Sequence, residues 1–103
     1  MSTIRWIPVN PVVFHGRGLF PRPNKAFVIM PLTPTWSRCV FTTIRKTLEQ
    51  AGIRCTRADE QCGHQILEDI WKGISEASIV VADVTGRNPN VYYELGIAHA
   101  LGR

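Results

Sequence analysis

The sequence predicts an α/β fold: a flavodoxin- or Rossmann-like parallel sheet with strand order 2-1-3, in a three-layer β-α-β-α-β-α arrangement. Three observations predict it. Short strand-like runs (Ala26–Met30, Ile53–Arg57 and Ile79–Asp83) alternate with segments of helical periodicity. The connections between them are short, which argues for a parallel sheet built through right-handed crossovers. Each run also ends in polar or turn-forming residues, so those ends share one edge of the sheet, where open α/β sheets take their ligands.

Residues 1–25 read as a Pro/Gly-rich N-terminal extension, and residues 26–103 as the α/β domain proper. Pro8, Pro11, Pro21 and Pro23, with Gly16 and Gly18, exclude a regular helix from the extension. Ile4–Ile7 and Val12–Phe14 suit short extended pieces, and Trp6, Phe14 and Phe20 suit packing on the domain or a partner. Gly16-Arg17-Gly18 follows no strand and opens no helix, so it reads as a turn and not as a phosphate loop.

The domain opens with Ala26-Phe27-Val28-Ile29-Met30, a short buried strand ended by Pro31 at the ligand-facing edge. Thr35 can cap a first helix whose Trp36, Val40, Ile44 and Leu48 recur every four residues, with Trp36 at its core or rim. Ala51-Gly52 ends that helix. Ile53–Arg57 alternates as strand two and leads to Asp59 and Glu60, either of which can meet a sugar hydroxyl, balance an arginine or simply be solvated. Cys62-Gly63-His64 lacks the further ligands that zinc needs, so no metal site is expected. A second helix spans about Gln65 to Ala77, with Ile66, Ile70, Ile74 and Ala77 as its buried stripe. Its start carries Glu68 and Asp69, where the dipole favours acids, and Trp71 lies off the stripe.

The most informative stretch is Ile79 to Gly102. An apolar β-branched run, read as a buried strand, stops at Asp83, and Thr85-Gly86-Arg87-Asn88-Pro89 has the composition of a turn. Asn90 can cap a third helix striped by Val91, Leu95, Ala98 and Leu101. Glu94 is placed in its first turn, beside the ligand mouth. A carboxylate there either complements the helix dipole or is the attacking group of a small pocket. Tyr92 and Tyr93 as aromatic walls, Gly96 as a point of close approach, and Asp83 and Asn88 as neighbouring polar groups favour the pocket.

Asn90-Val91-Tyr92-Tyr93-Glu94-Leu95-Gly96-Ile97-Ala98-His99-Ala100-Leu101-Gly102 resembles the catalytic-helix motif of the nucleoside 2-deoxyribosyltransferase superfamily, which includes the deoxynucleoside 5′-monophosphate N-glycosidases. The resemblance extends to Phe27-Val28-Ile29-Met30-Pro31 and to Ile74, Ala77 and the Ile79–Asp83 strand, most of residues 26–102. It implies that Glu94 attacks the anomeric carbon of a (deoxy)ribose and expels the base. It also implies a further pocket acid, for which Asp69 is the nearest match. Asn88 and Asn90 stand where the family often has Asp and Gly, and an amide does not titrate. TIR-type modules, some of which cleave NAD with a Glu, are the next nearest likeness.

The resulting expectation is cleavage or transfer at an N-glycosidic bond. Glu94, Asp69 and Asp83 are the candidate catalytic groups; Pro31, Asp59, Asn88, Asn90, Tyr92 and Tyr93 are the candidate substrate contacts. Backbone N–H groups around residues 88–90 are expected to hold a hydroxyl or phosphate. A TIR-like NAD-cleaving domain and a non-catalytic nucleotide-sensing or self-associating module are the alternatives. No cofactor is expected, NAD entering only as a possible substrate.

The bounds agree with a small globular domain of 103 residues, 45% apolar and 19% charged. The net charge of +4 is mild and its basic residues look dispersed, which suits an anionic small ligand better than nucleic acid. No run approaches the roughly 20 apolar residues that span a bilayer, and three cysteines without framework spacing suit a reducing cytoplasm. Arg103 directly follows a helix, where the family continues into further strands. The third strand is therefore expected to keep an apolar edge that the N-terminal segment, another subunit or further chain covers, and a homo-oligomer is expected.

Overall fold

The computed structural model describes residues 19–58 and 64–103, and for residues 64–67 the backbone alone. The readings placed on residues 1–18, on Asp59 and Glu60, on the Cys62–His64 loop and on the Ile66 side chain lie outside what it describes.

The elements run β1 (Arg22–Ile29), α1 (Ser37–Gln50), β2 (Arg54–Arg57), α2 (His64–Glu76), β3 (Ala77–Ala82), a 3-10 turn (Thr85–Arg87) and α3 (Pro89–Ala100). The sheet is parallel with order β2-β1-β3, as expected, and β1 is central. Phe27 pairs with Thr56 on one side and with Val80 on the other.

Alternation along β1 divides the core. Phe27 and Ile29 join Ile70, Ile74, Val91 and Ala98 under α2 and α3. Val28 and Met30 face the opposite way, with Cys55 and the α1 residues Val40, Phe41, Ile44 and Leu48. The result is three layers: α1, the sheet, and the α2–α3 pair. Gly73 lets α2 settle onto β1, because a Cβ there would sit 2.3 Å from the buried Phe27 ring.

Several boundaries differ from the expectation. β1 starts at Arg22 rather than at Ala26. The ladder skips from Arg22↔Ala77 to Ala26↔Ile79, so extra β1 residues are absorbed in a bulge containing Pro23 and Asn24, the latter at φ 60°. A bulge takes in a proline that a regular ladder would reject. Ala77 is the first residue of β3, not the last of the helix; α2 gives way to the strand with no intervening loop. β3 is not a buried strand, since Ile79 is 41% exposed and Val80 and Val81 are only partly covered. It lies at the sheet edge, and no described strand pairs with its outer side.

Trp36, not Thr35, occupies the N-cap of α1 and makes no side-chain capping bond. It is a rim residue, 37% exposed. The far end of α1 is as expected: Gly52 at φ 78° lets its N–H reach Glu49 O while the Ile53 N–H reaches Leu48 O. That pair of bonds is a Schellman motif. Gly102 and Arg103 end α3 in the same way on His99 O and Ala98 O.

Candidate active site

The carboxyl edge of the sheet is tied together by the Asp83 N–H, which donates to Ile29 O at 2.8 Å. The ends of β1 and β3 therefore meet beside Pro31. Asp83 Oδ1 accepts from both the backbone N–H and the hydroxyl of Thr85. Its carboxylate shapes the turn that leads into α3. Within that turn Gly86 and Arg87 both adopt positive φ, 81° and 53°.

α3 is capped by Asn88, not Asn90. Asn88 Oδ1 accepts from the N–H groups of Asn90 at 2.8 Å and Val91 at 3.4 Å. Pro89 takes the first helical position, where its missing N–H costs nothing and its fixed φ suits the helix. Of the amides expected to cradle a phosphate, that of Asn90 is thus already bonded, and Pro89 has none to offer.

The earlier helix start also moves Glu94 into the second turn of α3, out of the span in which the dipole explains an acid. Asp69 and Glu68 lie in the second turn of α2 for the same reason. The position of Glu94 needs another account. Val91 and Ala98 are buried and Leu95 is partly covered, so Glu94 falls on the inward stripe at helical spacing. It is half-buried. Among the described residues it has no hydrogen-bond or ion-pair partner. Burial alone pushes its carboxyl up to about 7. A carboxyl held near neutrality exchanges its proton readily at physiological pH, as a general acid or base must, and its ionised form can act as a nucleophile.

Other expected members of the site are placed elsewhere. Tyr92 and Tyr93 lie on the exposed side of α3, 47% and 52% exposed. Gly96 is exposed, and no described atom lies within 4 Å of the place a Cβ would take, so no approach within the described chain requires glycine there. Asp69 is exposed on α2 and lines a groove over β1 and β2 with Lys25, Thr56, Lys72 and Glu76; Glu94 is not part of it. The structure thus brings Pro31 and Asp83 to one edge, has Asn88 cap the helix that follows, and leaves Asp69 in a groove that Glu94 does not line.

Sequence reasoning missed a polar chain on the other side of the same edge. Pro31 O accepts from the Ser37 hydroxyl at 2.7 Å, and Ser37 Oγ accepts from Arg57 Nη1 at 3.1 Å. A polar residue directly after Trp36 and an arginine at the end of an alternating strand were the available signals. The basic residues are also less dispersed than they look, because Arg38, Arg45 and Arg57 share one groove. Among the described residues no group of three or more His, Cys, Asp or Glu is placed to hold a metal ion, and no helix is long and apolar enough to cross a membrane. Compared with protein-family models, with curated proteins and with solved structures, the chain matches none.

Proposed function

We propose that this chain acts on the N-glycosidic bond of a nucleoside, nucleotide or dinucleotide, with Glu94 as nucleophile. The observation that carries the reading is a half-buried carboxyl on the helix after β3, without a described partner and held near 7 by its surroundings. No structural bond explains its presence on an apolar stripe, and desolvation works against it. The likeness of residues 90–102 to a catalytic-helix motif supports the same role.

In the proposed reaction a Glu94 carboxylate oxygen bonds to the anomeric carbon as the carbon–nitrogen bond breaks. The base leaves with the bonding electron pair and takes up a proton. Water, or a second base, then attacks the same carbon and releases Glu94 as carboxylate. The ionised fraction of Glu94 rises through about pH 7, so the attacking step gains rate over that interval.

The test is chromatographic measurement of base release from deoxynucleosides, deoxynucleotides and NAD. Glu94→Gln is expected to lower release by about a thousandfold or more while the ligand still binds. Release that persists in the variant refutes the role of Glu94. Among reacting substrates, deoxynucleotides favour the deoxyribosyl branch and NAD the TIR-like branch.

A second reading, a nucleotide-sensing or self-associating module without turnover, draws on the bonding of its neighbours. Asp83 is engaged with Thr85 and Asn88 with the helix cap, which leaves Glu94 without a described acid–base companion. Ligand binding without release, unchanged in Glu94→Gln, is its signature.

A further inference from the structure

Arg38 and Arg45 lie seven residues apart on α1, which sets them about 10 Å apart along its axis. They share an open groove of about 500 Å³ with Arg57, Phe41, Thr42 and Thr56. Among the described residues, no acid lines this groove and none of its three guanidinium groups makes an ion pair.

Arg57 is the fixed member. Its Nη1 donates to Ser37 Oγ at 3.1 Å and lies 3.7 Å from Met30 Sδ, and its guanidinium sits over the Phe41 ring at 4.5 Å. Ser37 is 1% exposed and commits its own proton to Pro31 O, so its lone pairs are free to orient Arg57. The rest of the Arg57 fork has no partner among the described residues. Arg45 approaches the same ring at 5.7 Å, while Arg38 and the rest of Arg45 are exposed. Three like charges gathered in a groove that no described acid lines repel one another, and a ligand of several negative charges relieves that repulsion.

We propose that the groove between α1 and β2 binds an oligophosphate group, either free or as the phosphate chain of a nucleotide. Planar guanidinium forks match phosphate oxygens two at a time, and the row of cations fits a ligand with charges distributed over about 10 Å. Phe41 is already covered by guanidinium, so the groove reads phosphates and not the face of a base. This site stands on the opposite layer from Glu94 and does not rest on the glycosidic reading.

The test is calorimetric titration of the full chain with tripolyphosphate and with adenosine triphosphate in low salt. Binding is expected to weaken as salt rises. Arg38→Gln and Arg45→Gln are each expected to weaken it about tenfold, and Glu94→Gln to leave it unchanged. Both arginines are exposed, so an unchanged melting temperature in these variants separates lost binding from lost fold. Equal affinity for the two ligands points to free oligophosphate, and tighter binding of the nucleoside triphosphate to a nucleotide. No binding of either ligand overturns the proposal, as does undiminished binding by the Arg38→Gln/Arg45→Gln double variant. A hexaglutamate peptide that competes as well as tripolyphosphate also overturns it, assigning the groove to acidic polypeptide.

Discussion

Glu76 and Glu94 are two glutamates withdrawn from water on helices that pack on the same face of the sheet, and they are treated in opposite ways. Glu76, 3% exposed at the end of α2, meets Lys25 at 2.9 Å and Arg22 at 3.2 Å. The hydrogen bond from Lys25 holds its carboxyl below the ordinary range. Glu94 has no described partner, and burial moves its carboxyl the other way, to about 7. A carboxylate that serves the fold comes with its cations. One that is covered and left alone burdens the fold, and on that contrast the proposed role of Glu94 rests.

The largest expected effect comes from breaking the paired member. Glu76→Gln leaves the partly buried Lys25 ammonium facing a neutral amide. Because Arg22 stays largely exposed, the loss is discounted to about 2–3 kcal/mol, measured by urea denaturation at pH 7. A loss below about 0.5 kcal/mol, the usual size of a surface change, would place Glu76 among ordinary surface ion pairs.

The two residues also predict opposite pH dependences. For Glu76 the folded value lies below the unfolded one, so its stabilisation is present above the unfolded value and fades as pH falls through the acid range. For Glu94 the folded value lies above the unfolded one, so the folded chain keeps a proton that the unfolded chain has released. Stability therefore declines as pH rises from about 4.5 to about 7. Glu94→Gln should raise the melting temperature at pH 8 and leave it nearly unchanged at pH 4. The gain is about 1–2 kcal/mol after allowance for the partial exposure of the group. Equal effects at both pH values would show that Glu94 is solvated like any surface acid.

The smallest effect tests the frame that holds Glu94. Asn88→Ala removes the cap of α3 and should cost about 1 kcal/mol, seen in the denaturation midpoint. A larger change in the Glu94 titration than in stability would mean that the cap sets the helix position that buries this carboxyl.

Much of this was legible from residue order alone. The order β2-β1-β3 followed from three strand-like runs separated by helical periodicity, since short connections leave few other topologies. The Gly52 stop of α1, the Ile70 and Ile74 stripe and the Val91 and Ala98 stripe were equally plain. Boundaries were less so. Asn88 and Asn90 have the same capping chemistry, and what decides between them is Pro89, which is disfavoured inside a helix but suited to its first position. That two-residue shift moved Glu94 out of the dipole's reach.

The sequence by itself determined the periodicities and the glycine stops, because these depend on neighbours within a turn or two of chain. Only the tertiary structure decided which charges are paired and which are alone. Glu76 meets Lys25 across 51 residues, Arg57 meets Ser37 across 20, and Glu94 is withdrawn from water by the layer beneath α3. Burial and long-range pairing are properties of packed surfaces, and two glutamates written with the same letter acquire different proton affinities only once those surfaces close.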